Sequence, residues 1–361
     1  MTQPPVDRLA GDQNLAPMLK ERKRPNVTFW ISLICAAGFL WFAFRGVDLA
    51  SMWQTITTVS LFDTLILAVL SVLGVLLRAW RWWTTLPRPH KSGELGAATR
   101  ALAMGYAANY AMPRLGEIVR IAVLRRRTGR DVAQLLSTVV IDRFLLDLLA
   151  LSALFALGMW VARDDLFLIL GDRVGAAYVL MGLAALGTAG LMAFALAPQF
   201  FKRIMIRLGM RRLGAIWTRL DTLVDQLGAG MSVLRDPKML VLIAIQTVLI
   251  WGSYIVLFIF ALRLFGLNPP FGTVLVIYAI TVLGIALPSP GGVGTFHFFA
   301  RIALTQLAGA DDLNATAAAT YMHGANFLSL ILMGVVSMVW EARITPVRDS
   351  LKGEVIDDQK A

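Results

Sequence analysis

The sequence predicts an all-α integral membrane protein, with about six full spans and two broken re-entrant hairpins arranged as an inverted-topology repeat. Three observations predict it. Apolar residues make up 57% of the chain and charged residues 16%, and the mean hydropathy is +0.68. Several apolar runs reach the roughly 20 residues needed to cross a hydrocarbon core of about 30 Å. Two of those runs are interrupted, one by Asn109-Tyr-Ala-Met-Pro113-Arg114-Leu-Gly116-Glu117-Ile-Val-Arg120 and one by Leu287-Pro288-Ser-Pro290-Gly291-Gly292-Val-Gly294-Thr-Phe-His297. Proline and glycine at these spacings stop a helix and leave backbone groups unpaired. Hydrocarbon cannot satisfy such groups, so the breaks belong inside protein or beside a watery cavity. A matched pair of broken segments, one per half, points to a transporter-like site near the midplane.

The elements follow from hydropathy, and their orientation from Lys and Arg. Residues 1–25 are polar and Pro-containing and read as a disordered cytoplasmic N-terminus; Lys20, Arg22, Lys23 and Arg24 place it inside. The run 27–44 lacks a small-residue cleavage pattern and reads as a retained span. Span 61–83 returns to a cytoplasmic end marked by Arg78, Arg81, Arg88 and Lys91. Segment 96–124 has basic flanks on both sides, so it dips in from the cytoplasm and returns. Arg125, Arg126, Arg127 and Arg130 read as orientation anchors at its foot. Span 133–161 exits and span 174–197 returns, across a weakly acidic loop holding Asp164, Asp165 and Asp172. Span 239–265 exits, and hairpin 271–308, followed by Asp311 and Asp312, dips in from outside. Span 314–340 returns to a cytoplasmic tail, 343–361. Each half, about 26–161 and 174–342, therefore reads span, span, broken hairpin, span, with opposite starting sides. Tryptophans near span ends, such as Trp80, Trp82, Trp83 and Trp340, read as interface anchors.

Segment 198–238 is a basic amphipathic linker. Apolar residues recur at helical spacing, among them Phe201, Ile204, Leu208, Leu213, Ile216 and Leu220, between Arg203, Arg207, Arg211 and Arg212. Two placements are open on periodicity alone: lying on anionic headgroups, or packing on the cytoplasmic face of the bundle. The net charge of +11 fits an anionic membrane surface as partner. Nucleic acid, the other partner of a basic chain, is not expected, because no nucleic-acid module is visible.

Ionisable residues inside spans cost roughly 2.5–3.5 kcal/mol each and so need a partner or a task. The richest set is Arg114, Glu117 and Arg120 at the first break, with Asp142, Arg143 and Asp147 in the next span. Helical spacing puts Arg114, Glu117 and Arg120 on one face and lets Arg143 pair with Asp147, whereas Asp142 and Asp147 share a face less well. Two readings are open. The arginines form a cationic pocket for a lipid phosphate, braced by the acids; or the charges neutralise one another and pin the hairpin. The second break offers Gly291, Gly292 and Gly294, with Pro288 and Pro290, where backbone angles are free and close approach is allowed. The helix from Thr295 would aim amides at a cavity. His297 and Arg301 lie four apart on it, and His323 and Asn326 three apart on the last span. His297 either lines that cavity or packs.

No catalytic set, cofactor motif or metal spacing is present: there is no nucleophile elbow or P-loop, and the histidines are His90, His297 and His323 alone. The single cysteine, Cys35, excludes an intrachain disulfide. The oligomeric state is not readable.

At its two breaks the chain resembles the lysylphosphatidylglycerol synthase transmembrane family, the flippase-like membrane domain. The matching residues are Asn109, Pro113, Arg114, Gly116, Glu117, Arg120, Arg126, Gly129, Asp142, Arg143 and Asp147, then Pro288, Pro290, Gly291, Gly292 and Gly294. The resemblance spans about residues 25–340. It implies a membrane domain associated with lipid translocation, and the reading is an inner-membrane protein that moves a phospholipid or lipid-linked substrate between leaflets; the alternatives are a membrane-embedded subunit or enzyme of lipid modification or glycolipid synthesis, or a non-transporting envelope scaffold. The soluble aminoacyl transferase domain of the full synthases is expected to be absent from this chain, leaving a separate soluble transferase as a partner. The family pattern implies a glutamate where this chain has His297.

Overall fold

The computed structural model describes residues 27–163, 174–230, 233, 236–285 and 287–344. The N-terminal segment 1–25, the acidic loop 164–172 and most of the tail from 343 onward lie outside the described residues. Every regular element among those described is helical. In chain order they are α1 (Val27–Phe44), α2 (Leu49–Thr57), α3 (Leu61–Thr85), α4 (Glu94–Ala111) and α5 (Leu115–Thr128). Next come α6 (Val132–Val140), a π-helical turn over Ile141–Leu146, α7 (Asp147–Val161), α8 (Val174–Leu196), α9 (Pro198–Arg207) and α10 (Ala215–Gly230). The rest are α11 (Pro237–Leu264), α12 (Phe271–Ile285), α13 (Thr295–Ala308) and α14 (Asp312–Ile344).

Four helical segments are long and apolar enough to cross a membrane: Leu61–Thr85, Val132–Val161, Pro237–Leu264 and Asp312–Ile344. Two bent pairs raise the number to six. Phe29–Phe44 turns by 86° into Leu49–Thr57, and Ala185–Phe194 turns by 95° into Pro198–Arg207. Polar capping sharpens the ends. Asp48 accepts from the amides of Ala50 and Ser51 at the start of α2, and Ser60 accepts from Asp63 at the start of α3. Asp48 sits below the usual carboxylate range because Ser51 and those amides hydrogen-bond its charged form.

The packing relies on small residues, as expected where lipid is as apolar as leucine and close backbone approach supplies the attraction. On α4, Ala97, Ala98, Ala101 and Ala103 are buried. A Cβ on Gly334 of α14 would meet the Ala107 Cβ at 2.5 Å and the Ala103 carbonyl at 3.1 Å. Gly158 of α7 seats on α12 in the same way, with the Leu275 Cβ 2.9 Å from where its own would stand. Large apolar side chains face outward instead, Val248 of α11 at 71% exposure and Leu332 of α14 at 65%, as a lipid-facing belt requires.

The helix α14, about 50 Å long at 1.5 Å per residue, measures the bundle. At its start Asp312 pairs with Arg301 of α13 at 2.8 Å. Near its end Glu341 accepts from Arg100 of α4 and Arg127 of α5. The pairs α4–α5 and α12–α13 therefore have their feet at opposite ends. Arg127 and Arg130 are not simple orientation anchors: Arg130 is buried on Glu94, and Lys91 donates to the Thr128 carbonyl, closing the foot of α4–α5. The linker divides between a packed face and an exposed one. Val224 of α10 is buried and Lys202 of α9 pairs with Asp221 at 2.7 Å, whereas Leu208, Leu213 and Ile216 stay exposed beside exposed Arg207, Arg211 and Arg212.

Replacing Gly158 by Leu is expected to destabilise the folded protein by about 1–3 kcal/mol through overpacking against α12. Gly187 on α8 has open space around it, so Gly187→Leu should leave the thermal midpoint of the detergent-solubilised protein unchanged. Equal midpoints for the two variants would refute the close packing of α7 on α12.

Candidate functional site

The first break is built by five residues. Met112 is extended, Pro113 follows, and Arg114 adopts the left-handed conformation at φ 64°, the one described non-glycine residue to do so. The Asn109 side chain accepts the Gly116 amide at 2.7 Å, giving the new helix α5 its first cap. Any side chain at Gly116 would overlap the Gly105 carbonyl, so the returning helix lies directly on α4. This geometry corrects the expectation that Arg114, Glu117 and Arg120 share one face. Arg114 precedes the helix in a left-handed turn, where helical spacing does not apply, and stays exposed, while Arg120 is buried. Glu117 turns to Arg143, with 3.6 Å between the nearest charged atoms.

Asp142 and Asp147 do converge, contrary to expectation. Residues 141–146 form a π-helical turn, whose hydrogen bonds span five residues, so side chains five apart come to one side. Both carboxylates reach the same guanidinium: Arg81 Nη2 lies 2.7 Å from Asp142 Oδ1 and 2.6 Å from Asp147 Oδ1. Arg78 adds a bidentate pair to Asp147 at 2.6 and 3.2 Å and donates to the Tyr254 hydroxyl at 3.2 Å. Arg120 Nη1 reaches Asp142 Oδ2 at 3.4 Å, and Arg143 lies 3.7 Å from Asp147.

Aromatic faces complete the enclosure. Trp82 lies under the Arg120 guanidinium at 5.1 Å and donates its indole N–H to Thr138, and Tyr106 lies under Arg143 at 5.4 Å. Four guanidiniums thus face three carboxylates, a surplus of one positive charge. Some polar atoms are left over. Arg120 Nε and Nη2, Arg143 Nε and Glu117 Oε2 are buried with no hydrogen-bond partner among the described residues.

Arg78 and Arg81, read from sequence as markers of a cytoplasmic end, are 3% and 0% exposed and carry this network. Trp82, read as an interface anchor, is fully buried. A signal was available. The two arginines fall three apart inside the hydrophobic run 61–83, where each needs an acid, and Asp142 and Asp147 were unmatched by two cations of their own.

At the second break Gly291, Gly292 and Gly294 have φ of 58°, 79° and 83°. Each also has a close neighbour: a side chain at Gly291 would overlap the Tyr110 ring, and one at Gly294 the Ala36 carbonyl of α1. Pro288 is exposed, Pro290 opens a short 3-10 turn, and Ser289 and Thr295 share a hydrogen bond at 2.8 Å. The start of α13 is occupied from within: His297 Nδ1 accepts the Gly294 amide at 3.4 Å. His297 is 6% exposed, with its ring 4.9 Å from that of His323, whose Nε2 meets the Gly291 carbonyl at 3.1 Å. Tyr110 packs edge-on to Phe327 and His323 and hydrogen-bonds Asn326. The tips of the two breaks therefore touch at the middle of α14. Arg301 stands apart. It donates to the carbonyls of Ala43 and Arg45 at 2.7 and 3.0 Å, where the C-terminal dipole of α1 favours a cation.

The family described as lysylphosphatidylglycerol synthase TM region matches residues 29–334 of the 361. The chain belongs to this family and is a multi-pass membrane protein. Comparison with curated proteins and with solved structures gives no match.

Removing Arg81 leaves two buried carboxylates short of a partner. Arg81→Leu is expected to cost roughly 3–5 kcal/mol, enough to lose most folded protein. Adding Asp142→Asn should recover part of it, since one stranded charge disappears. Arg126 is exposed, and Arg126→Ala should elute as wild type. Size-exclusion profiles of solubilised membranes measure all three; a stable Arg81→Leu variant would remove the network from the fold's foundations.

Proposed function

We propose that this member of the lysylphosphatidylglycerol synthase transmembrane family moves a lipid, or a lipid-linked molecule, between the leaflets of the inner membrane. In this reading six helices span, with both termini cytoplasmic. The pairs α4–α5 and α12–α13 are re-entrant and enter from opposite faces, as the two halves of an inverted repeat. One observation carries the reading. Two broken helix pairs, footed at opposite ends of α14, meet tip to tip at Tyr110 and Gly291, and a buried guanidinium cluster with a surplus charge lies beside the first of them.

The physical logic is that of alternating access. A polar headgroup costs several kcal/mol in hydrocarbon unless donors and acceptors replace its water. Arg120, Arg143 and Glu117, with Arg114 at the turn, supply such groups on the side of the α4–α5 feet. Gly291, Gly292 and Gly294 supply a closely packed break with left-handed backbone on the other. The Tyr110–Gly291 contact separates them. Separation is required because a continuous polar channel would leak.

The exposed Leu208, Leu213 and Ile216 beside Arg207, Arg211 and Arg212 fit an anionic lipid surface on the cytoplasmic side. A soluble transferase that modifies the transported lipid is compatible with the same face.

Two measurements test this. In a Cys35→Ala background, single cysteines near residues 90 and 128, at exposed Arg88 and Arg126, should label from one face, and cysteines at 50 and 311 from the other. Labelling of the first two from opposite faces overturns the re-entrant pair. In proteoliposomes, Glu117→Ala and Arg143→Ala should slow leaflet exchange of labelled lipid at least tenfold, the factor that accompanies a loss of about 1.4 kcal/mol. Arg126→Ala should stay within about twofold. Wild-type exchange in both site variants, with folded protein verified, sinks the transport reading.

A further inference from the structure

The Arg120 guanidinium holds an unfilled fork. Its Nη1 is committed to Asp142 at 3.4 Å, and one face of its plane lies over Trp82. The two nitrogens left without a hydrogen-bond partner among the described residues are Nε and Nη2. They share one edge of the planar group, so their N–H bonds run nearly parallel. That edge matches two oxygens on a single phosphorus or carbon, the geometry of bidentate oxoanion binding. Arg120 is 1% exposed, so bulk water does not fill the fork, and a buried donor pair left empty is costly. Arg143 Nε, 3.6 Å from Glu117 Oε1 and too far for a hydrogen bond, lies in the same group, one step nearer the surface at 26% side-chain exposure.

The charge count adds a second, independent constraint. Arg78, Arg81, Arg120 and Arg143 are set against Asp142, Asp147 and Glu117. The cluster is one negative charge short of neutral, and at low dielectric that deficit is felt strongly. A phosphodiester carries one negative charge and presents two free oxygens. A phosphomonoester, with its second pKa near 6, approaches two charges at neutral pH.

We propose that Arg120 is the headgroup ligand of this protein and that its empty fork takes a singly charged phosphodiester of a membrane lipid, with Arg143 at the mouth. The inference deepens the transport reading and rests on it for the lipid as source. Arg120 holds the phosphate, Asp142 and Trp82 fix the fork's direction, and Glu117 sets the charge that the ligand must supply. Arg120 is buried in the present conformation, so a lipid reaches the fork only after the surrounding helices part.

Binding tests this without transport. Full-length protein, delipidated in maltoside detergent, is offered an equimolar mixture of four lipids with matched acyl chains. These are phosphatidylglycerol, phosphatidic acid, a glucosyl diacylglycerol without phosphate, and the free fatty acid. Native mass spectrometry reads what is retained. The wild type should keep one phosphatidylglycerol about tenfold over the glycolipid, the factor expected for hydrogen bonds to a charged group, and also above phosphatidic acid. Arg120→Lys keeps the charge beside Asp142 but lacks the fork, and should lower phosphatidylglycerol to the glycolipid level. Glu117→Gln raises the surplus to two and should move preference toward phosphatidic acid.

Equal retention of glycolipid or fatty acid by wild type overturns the proposal. So does Arg120→Lys binding as wild type, which would assign the fork to a buried water, or a Glu117→Gln preference that does not move. Displacement of the lipid by soluble glycerophosphoglycerol would assign the site to a free solute and overturn the lipid source. A diester-selective protein that shows no leaflet exchange would sink the transport reading and leave the binding site standing. Exchange by a protein without diester preference would do the reverse.

Discussion

Everything in this bundle depends on one constraint: a guanidinium inside a membrane protein must find carboxylates, and a carboxylate must find guanidiniums. Arg81 is the centre of that constraint. It is fully buried, and it binds both Asp142 and Asp147 through a single nitrogen. Two acids five residues apart fit one partner only if the helix widens, and residues 141–146 widen into a π-turn. The local departure from α-geometry is thus the structural consequence of the ion network. The network also joins three elements distant in sequence, α3 through Arg78 and Arg81, α5 through Arg120, and the 132–161 segment through its acids. It leaves over one positive charge and an arginine edge with no hydrogen-bond partner among the described residues.

Much of the architecture was legible from hydropathy and from proline and glycine. The helices begin and end within a few residues of the apolar runs, and the two interruptions fall at Met112–Arg114 and around Pro288–Gly294. These signals are local, carried by residue types that stop helices wherever they stand. The charged residues were harder to read, because their meaning depends on contacts far along the chain. Arg78 and Arg81 look like orientation charges in a linear reading, since basic residues at span ends usually are. Their acids lie more than sixty positions away. Arg114 misled for a different reason. Helical spacing was applied across a left-handed residue, where it does not hold. Tyr110 carried no signal by itself. Its role at the contact of the two breaks becomes visible only when Gly291 lies against its ring.

The two breaks differ in chemistry. The first break is ringed by arginine and acid, the second by glycine backbone and two histidines whose ring nitrogens meet the Gly294 amide and the Gly291 carbonyl. His297 stands where the family pattern implies a glutamate. In this chain it caps its own helix, which accounts for a residue that is buried and has no carboxylate among its described contacts. The first break thus gathers charge, and the second is built on close backbone approach.

One helix meets both halves. α14 is held at Asp312 by Arg301, touches both tips near His323 and Asn326, and is held at Glu341 by Arg100 and Arg127. Because α14 is one unbroken helix of 33 residues, the ion pairs at its two ends are fixed to the same backbone, so the spacing between the foot of α4–α5 and the foot of α12–α13 is set by the length of a single element.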